Sequence, residues 1–383
     1  MTILYILTYI IFMVIMAQFA KHSVIHAKSL NANPGIDRYL IWYLLFFAFI
    51  SGTRWCVGAD YMAYRKQFSG TSDIHIYYEN KEYLWYYFVS IINKLGLHFT
   101  IGLGITSFFQ LYFIVKALKE YKYILIALPF ILFANFFFWE MMNGMRQILV
   151  ASIMFYASKY IYEKKYIKYY SLLVCCYFIH HSVIILAPLF FIPKSFHIAD
   201  KRKSCLIIFL ICFAIGRVPQ FQSIASSMSQ LTALLGYDSY SERVNDFLSN
   251  DVENIRSLGP MFLSLFAMCL LNIFYAPMIR NEYARKIKGI DLWYNFSFIF
   301  CCTYFLFSGV DIVFIRPTYY FAFYLLVTVS LLLYYLYKKR QKYGALYIFV
   351  WLIIAVSMFR DMQKSALIYP HDLSIYKSIY FHN

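Results

Sequence analysis

Charge is what this sequence has least of. Only 14% of its 383 residues are Asp, Glu, Lys or Arg, against about 25% in an ordinary soluble domain. That shortage excludes a water-soluble globule and a disordered chain. Glycine and proline are few, at 14 and 9 residues. The sequence has no Gly/Ser linker, no visible internal repeat, no P-loop, no GxSxG elbow and no Gly-rich nucleotide fingerprint. There is no CxxC pair and no Cys/His ligand set. Cys175, Cys176, Cys205, Cys212, Cys269, Cys301 and Cys302 all sit inside apolar runs, which reads as bilayer-facing or packing thiols and not as a disulfide or metal framework. The expectation is a chain that uses no metal and no cofactor.

Apolar residues take the place of charge: 62% of the chain is hydrophobic and 22% aromatic, with a mean hydropathy of +0.58. Backbone polar groups inside a bilayer must be satisfied within the chain, so apolar runs of spanning length should be helices. Twelve are expected, near residues 2–20, 39–53, 99–118, 123–139, 147–162, 168–180, 182–193, 204–218, 258–279, 291–309, 317–337 and 343–359. The expected fold is therefore an all-α polytopic membrane protein, with residues 1–383 forming one transmembrane domain. The runs on either side of His180 and His181 are shorter than the ~20 residues of a perpendicular span, which implies tilt, thinning or a half-membrane hairpin. Tyr83 to Leu95 is shorter still and reads as an interfacial or re-entrant helix. Met1 to Ala20 lacks a basic leader and a small-residue cleavage site, and reads as a retained first span.

The formal charge of +16 does not point to nucleic acid, because the basic residues fall in short clusters between apolar runs. With the N-terminus outside, the inner loops collect 22 of the 35 basic and six of the 19 acidic residues, leaving the outer side with 13 of each. A positive-inside bias of that size sets the orientation. It places the loops 54–82 and 219–257 and the tail 360–383 on the outer face.

Ionisable residues at the span ends then gather outside: Arg54 and Asp60 around Gly58, Arg146 and Gln147 in a short turn, His180 and His181 between two short helices, and Asp311 with Arg316 between two more. Such residues near hydrocarbon are costly and are candidates for function. A guanidinium grips phosphate oxygens through a planar fork. Plainer readings stand beside this one. Arg54 and Arg316 suit snorkelling to headgroups, Asp60 suits a turn or an ion pair with Arg54, Arg146 suits a pair with Glu140, and Asp311 suits one with Arg316. The inner loops hold no paired acids for a nucleotide-sugar enzyme, so an activated substrate would arrive within the membrane.

Gly52-x-Arg54 followed by Gly58-Ala59-Asp60-Tyr61 and Tyr64 resembles the segment after the second span of the EpsG-like, Wzy-type polysaccharide polymerases. Met145-Arg146-Gln147 with Ala151 is similar to that family's helix start, and Phe178-Ile179-His180-His181-Ser182 to its F-H-x-S element. Arg316-Pro317 and Tyr369-Pro370 are weaker echoes. Ala59, Cys56 and Pro370-His371 depart from the usual pattern.

The resemblance implies a glycosyltransferase at the outer face of the bacterial cytoplasmic membrane, joining oligosaccharide repeats carried on polyprenyl diphosphate. It would work among membrane lipids alongside a flippase and a chain-length regulator, without nucleic acid. Under this reading Arg54, Arg146 and Arg316 clamp diphosphate, Asp60 orients or deprotonates the acceptor hydroxyl with His180 as its rival, and Tyr61, Tyr64, Gln147, His181 and Asp311 contact substrate. A lipid-linked oligosaccharide flippase or other secondary transporter, and a membrane O-acyltransferase, are the alternatives.

Overall fold

A computed structural model describes residues 2–29, 35–58, 60–135, 137–192, 197–218, 221, 259–309, 312–368 and 377–378. Asp311, Tyr369-Pro370, nearly all of the 219–257 loop and most of the 360–383 tail lie outside the described residues. The chain divides into two compact units, Met1–Ile192 with Val329–Asn383, and Pro193–Thr328.

The first unit opens with α1 (Thr2–Ser29) and α2 (Arg38–Gly52). Asp37 caps α2 by accepting from the Leu40 amide at 3.0 Å, and the same carboxylate takes Ser23 Oγ at 2.7 Å and the buried Lys122 Nζ at 2.8 Å. One acid thus satisfies a helix start and a buried cation and ties three chain segments together. Helix α2 packs on α6 (Phe99–Leu118), where a Cβ on Gly52 would stand 2.8 Å from the Thr100 carbonyl oxygen.

Between these two helices the chain forms a two-residue strand β1 (Arg54–Trp55) and three short helices, α3 (Tyr61–Phe68), α4 (His75–Glu79) and α5 (Tyr83–Lys94). Tyr61, Tyr64 and Phe68 line one face of α3, and Trp85, Val89 and Ile92 one face of α5. The two stripes meet in a single core with Leu103 and Met145. The other face of α5 exposes Leu84, Tyr87 and Ile91, so the helix is amphipathic. Its 12 residues rise about 18 Å, short of a ~30 Å hydrocarbon core.

The run 123–139, expected as one span, is instead a 3₁₀ turn (Lys122–Ile126), α7 (Leu128–Ala134) and α8 (Phe137–Asn143). Pro129 opens α7, and Asn135 ends it by turning its side chain back to the Ile131 carbonyl at 2.9 Å. Helices α9 (Met145–Tyr162) and α10 (Tyr166–Tyr177) follow. The expected span at 182–193 is a 3₁₀ stretch, His181–Phe191, with Pro188 inside it. Tyr169 and Tyr170 donate to the Leu186 and Ala187 carbonyls at 2.7 and 2.9 Å, supplying partners to backbone acceptors that α-helical geometry would otherwise satisfy.

In the second unit, α11 (Arg202–Ile215), α12 (Pro260–Tyr283) and α13 (Ile290–Phe307) pack through Phe209, Phe213, Phe262, Phe266 and Phe305. Arg280 joins them at one end by a bidentate pair with Asp200, both contacts at 2.8 Å, and a bond to Asp291. A one-turn helix, α14 (Ile312–Ile315), leads through the 3₁₀ turn Arg316–Thr318 into α15 (Tyr319–Lys338). The last helix, α16 (Arg340–Ile368), belongs to the first unit, as does the chain from Val329 on, and is interrupted at Tyr343. Residues 377–378, strand β2, pair antiparallel with β1, with Arg54 opposite Ser378.

Among the described residues six helical segments are long and apolar enough to cross a membrane: Ile6–Ala27, Phe99–Leu118, Phe262–Tyr283, Ile290–Phe307, Arg316–Lys338 and Arg340–Phe359. The apolar helices Arg38–Gly52 and His181–Phe191 are shorter. The polytopic helical architecture stands; the count of twelve full-length spans does not emerge from it.

Candidate active site

Arg54 has no exposed surface. Its guanidinium donates to the carbonyls of Ser51, Val57 and Met142 and contacts Met145 Sδ at 3.3 Å. It therefore clasps the chain after α2 to the α8–α9 turn. That clasp is reinforced by Gly58, where a φ of +104° would strain a side chain and a Cβ would crowd the Met142 carbonyl at 3.2 Å, and by Asn143, whose side-chain oxygen accepts the Asp60 amide at 2.8 Å. The Arg54–Asp60 ion pair, the plainer alternative offered by the sequence, does not form: among the described residues the half-buried Asp60 carboxylate pairs with no cation.

Arg146, one residue into α9, reaches the opposite way. The plainer sequence reading offered Glu140 as its partner; the carboxylate that Arg146 meets is Glu82, 64 residues away, through a short bond from Nη1 to Oε2. Its guanidinium lies 4.6 Å from the Tyr77 ring centroid and 6.0 Å from that of Trp85, with the buried Tyr64 in the same neighbourhood. Unlike Arg54 it keeps 21% of its side chain exposed.

Glu82 was not singled out from sequence. It precedes α5 and is buried, and its other oxygen, Oε1, faces His180 Nδ1 at 3.2 Å. The backbone fixes this meeting: the Leu84 amide donates to the Phe178 carbonyl at 3.0 Å, and the Glu82 amide to the Tyr77 carbonyl at 2.7 Å. Burial raises the Glu82 carboxyl, but the hydrogen bond with His180 and the charge of Arg146 outweigh it and hold the group below its ordinary value. Burial pushes His180 below its ordinary value, against the pull of Glu82 and with the help of Arg146. At neutral pH the arrangement is thus carboxylate, guanidinium and neutral imidazole. The one sequence signal for Glu82 was an acid abutting an aromatic, apolar run.

Around this trio, Gln67 receives Trp85 Nε1 at 3.3 Å and donates to the Tyr77 hydroxyl at 2.8 Å, fixing both rings that flank Arg146. Asp60 acts electrostatically on Tyr64 and Tyr77 together with Arg146, so the acid and the cation share one neighbourhood. Tyr61 is buried beside Arg54, with 5.7 Å from its ring centroid to the guanidinium carbon. Gln147 is buried on α9. The His181 ring stacks on Tyr177 at 4.4 Å, and its buried Nε2 has no hydrogen-bond partner among the described residues. Arg316, half-buried, starts the 3₁₀ turn Arg316–Thr318 of the second unit. Asp311 lies outside the described residues, and so does its expected pairing with Arg316.

Among the described residues no three His, Cys, Asp or Glu side chains are grouped to hold a metal ion. The first unit thus unites Asp60, Tyr64, Arg146 and His180, which the sequence had marked separately, and adds Glu82, Tyr77, Gln67 and Trp85. No curated protein and no solved structure gives a significant match to the chain. The profile of the EpsG family matches residues 37–373. That span includes both arginines, Glu82 and His180, all of the second unit and the first unit from residue 37 to 373, and the chain belongs to the EpsG family.

Proposed function

We propose that the protein polymerises polysaccharide, transferring a glycan from polyprenyl diphosphate to a sugar hydroxyl of a second lipid-linked repeat at the outer face of the cytoplasmic membrane. EpsG membership and the membrane-helical fold fit a polysaccharide polymerase. The observation that carries the assignment to this site is the partly exposed Arg146, held by a buried carboxylate and two aromatic faces beside an imidazole. A preorganised cation stabilises charge as it develops on a leaving diphosphate. A neighbouring base and carboxylate suit an acceptor hydroxyl.

Arg146 is the diphosphate clamp in this reading, and Asp60 orients the acceptor. Tyr64 and Gln147 support the clamp, and His181 lies against the sugar. Arg54 holds the loop bearing Asp60 in place, since its donors already bond carbonyls. A flippase would deliver the substrate and a chain-length regulator would limit the product.

The test is reconstitution of purified protein with lipid-linked repeats, reading product length on a gel. A ladder of multiples of the repeat is expected. Transbilayer movement without joining would identify a flippase, and altered decoration at constant length an acyltransferase.

A further inference from the structure

Glu82 divides its two oxygens between a cation and an imidazole. Oε2 takes Arg146 Nη1 and Oε1 lies 3.2 Å from His180 Nδ1. An ionised carboxylate only accepts hydrogen bonds, so the ring nitrogen facing it must carry the proton. A neutral imidazole has one N–H, which leaves Nε2 with its lone pair. Nε2 makes no hydrogen bond with any described residue, and the side chain keeps 18% of its surface exposed. The charged and titratable groups facing the ring are Glu82 from the turn before α5, Arg146 from α9 and His181 beside it.

We propose that Glu82 is a positioning residue that fixes His180 in its Nδ1–H tautomer, so that Nε2 is the base that takes the proton of the acceptor sugar hydroxyl. This rests on the glycosyl-transfer reading above. In the step, the hydroxyl oxygen bonds to the anomeric carbon as the bond from that carbon to the diphosphate oxygen breaks. The departing polyprenyl diphosphate keeps the electron pair. The hydroxyl proton passes to Nε2, and the resulting imidazolium is stabilised by Glu82 until the proton leaves to water or to the released diphosphate. By holding Arg146 with its second oxygen, Glu82 also fixes the base and the cation relative to each other.

The sign of the pH effect follows. A base must be neutral, so turnover rises with pH through the His180 ionisation. The carboxylate opposite raises that ionisation. Glu82→Gln removes the charge and is expected to move the acid limb of the rate profile to lower pH while lowering kcat about 10²–10³-fold, with a smaller change in KM. Glu82→Asp should recover part of the rate. The double variant Glu82→Gln/His180→Gln should lose clearly less than the product of the two single losses, because the part of the Glu82 effect that acts through the imidazole is already gone while the part that acts through Arg146 remains.

An unmoved acid limb, or losses that multiply in the double variant, would overturn the proposal. A second measurement covers poor folding or undetectable turnover of the variants. In full-length wild-type protein with ¹⁵N-labelled imidazoles, His180, assigned by its loss in His180→Gln, should show a protonated Nδ1 and a bare Nε2 at neutral pH. The opposite tautomer sinks the idea whatever the activity. Failure of the wild type to polymerise any lipid-linked repeat would instead remove the glycosyl-transfer reading, and the tautomer measurement would still decide the dyad.

Discussion

A guanidinium with no exposed surface binds only what already surrounds it, and Arg54 is surrounded by carbonyls. Arg54→Ala is expected to leave the Ser51, Val57 and Met142 acceptors buried without this donor, costing roughly 3 kcal/mol or more. The loss should appear as less folded protein and a lower melting temperature in detergent before any kinetic change, whereas a normally stable, inactive variant would return Arg54 to direct substrate contact. Arg146 asks for a gentler substitution, since deletion would strand the Glu82 carboxylate. Arg146→Lys keeps the charge opposite Glu82 but loses the fork and the planar contact with Tyr77. Turnover on lipid-linked repeats should fall about 10²-fold with folded protein retained, and full activity would dismiss the clamp. Asp60→Asn should slow turnover less than His180→Gln; the reverse order, measured in one assay, would make Asp60 the base.

Those side chains hold their places because short elements are pressed together where glycine removes a side chain. A Cβ at Gly52 would meet the Thr100 carbonyl oxygen at 2.8 Å and the Gly104 Cα at 3.0 Å, all backbone, which cannot swing away. Gly52→Ala is therefore expected to wedge α2 from α6 and cost about 1–3 kcal/mol. A thermal unfolding scan showing no change would contradict the tightness of that contact. On α6, a Cβ at Gly102 would run into the Phe68 ring. A flip of the ring leaves its Cγ, 2.6 Å from that Cβ, in place, and Phe68 is packed in the core on Trp85 and Phe88, so Gly102→Ala should be destabilising as well. Apolar, aromatic composition and short length identified residues 83–95 as an interfacial or re-entrant helix, and the place of the start of α5 beside Phe178 followed only from its packing on the turn after α10. The breaks at Pro129 and Pro188 were written in the sequence, but high hydropathy on both sides concealed them.

At the scale of the whole molecule, the sequence makes one prediction that no internal contact decides, the direction of insertion. With 22 of 35 basic residues in the loops assigned inside, a cysteine replacing Lys164 or Lys286 should react with an impermeant reagent only after the membrane is opened. A cysteine replacing Asp73 should react in intact cells. Native cysteines would be removed first. The inverse pattern would reverse the orientation and place the Arg146 site on the cytoplasmic side.

Hydropathy and charge are sums over neighbouring residues, and for that reason the sequence alone determined a polytopic helical membrane protein, an expected orientation and, through the ordered Gly52-x-Arg54, Arg146-Gln147 and His180-x-Ser182 elements, the family. Partnership is a property of distance in space, and only the tertiary structure decided it. Two arginines of identical chemistry received different surroundings, one enclosed by carbonyls and one set between a carboxylate and two rings. Glu82, one outer acid among 13 when counted along the chain, became the link between Arg146 and His180 because the turn before α5 packs on the turn after α10 and the start of α9, a meeting of segments 64 and 98 residues apart.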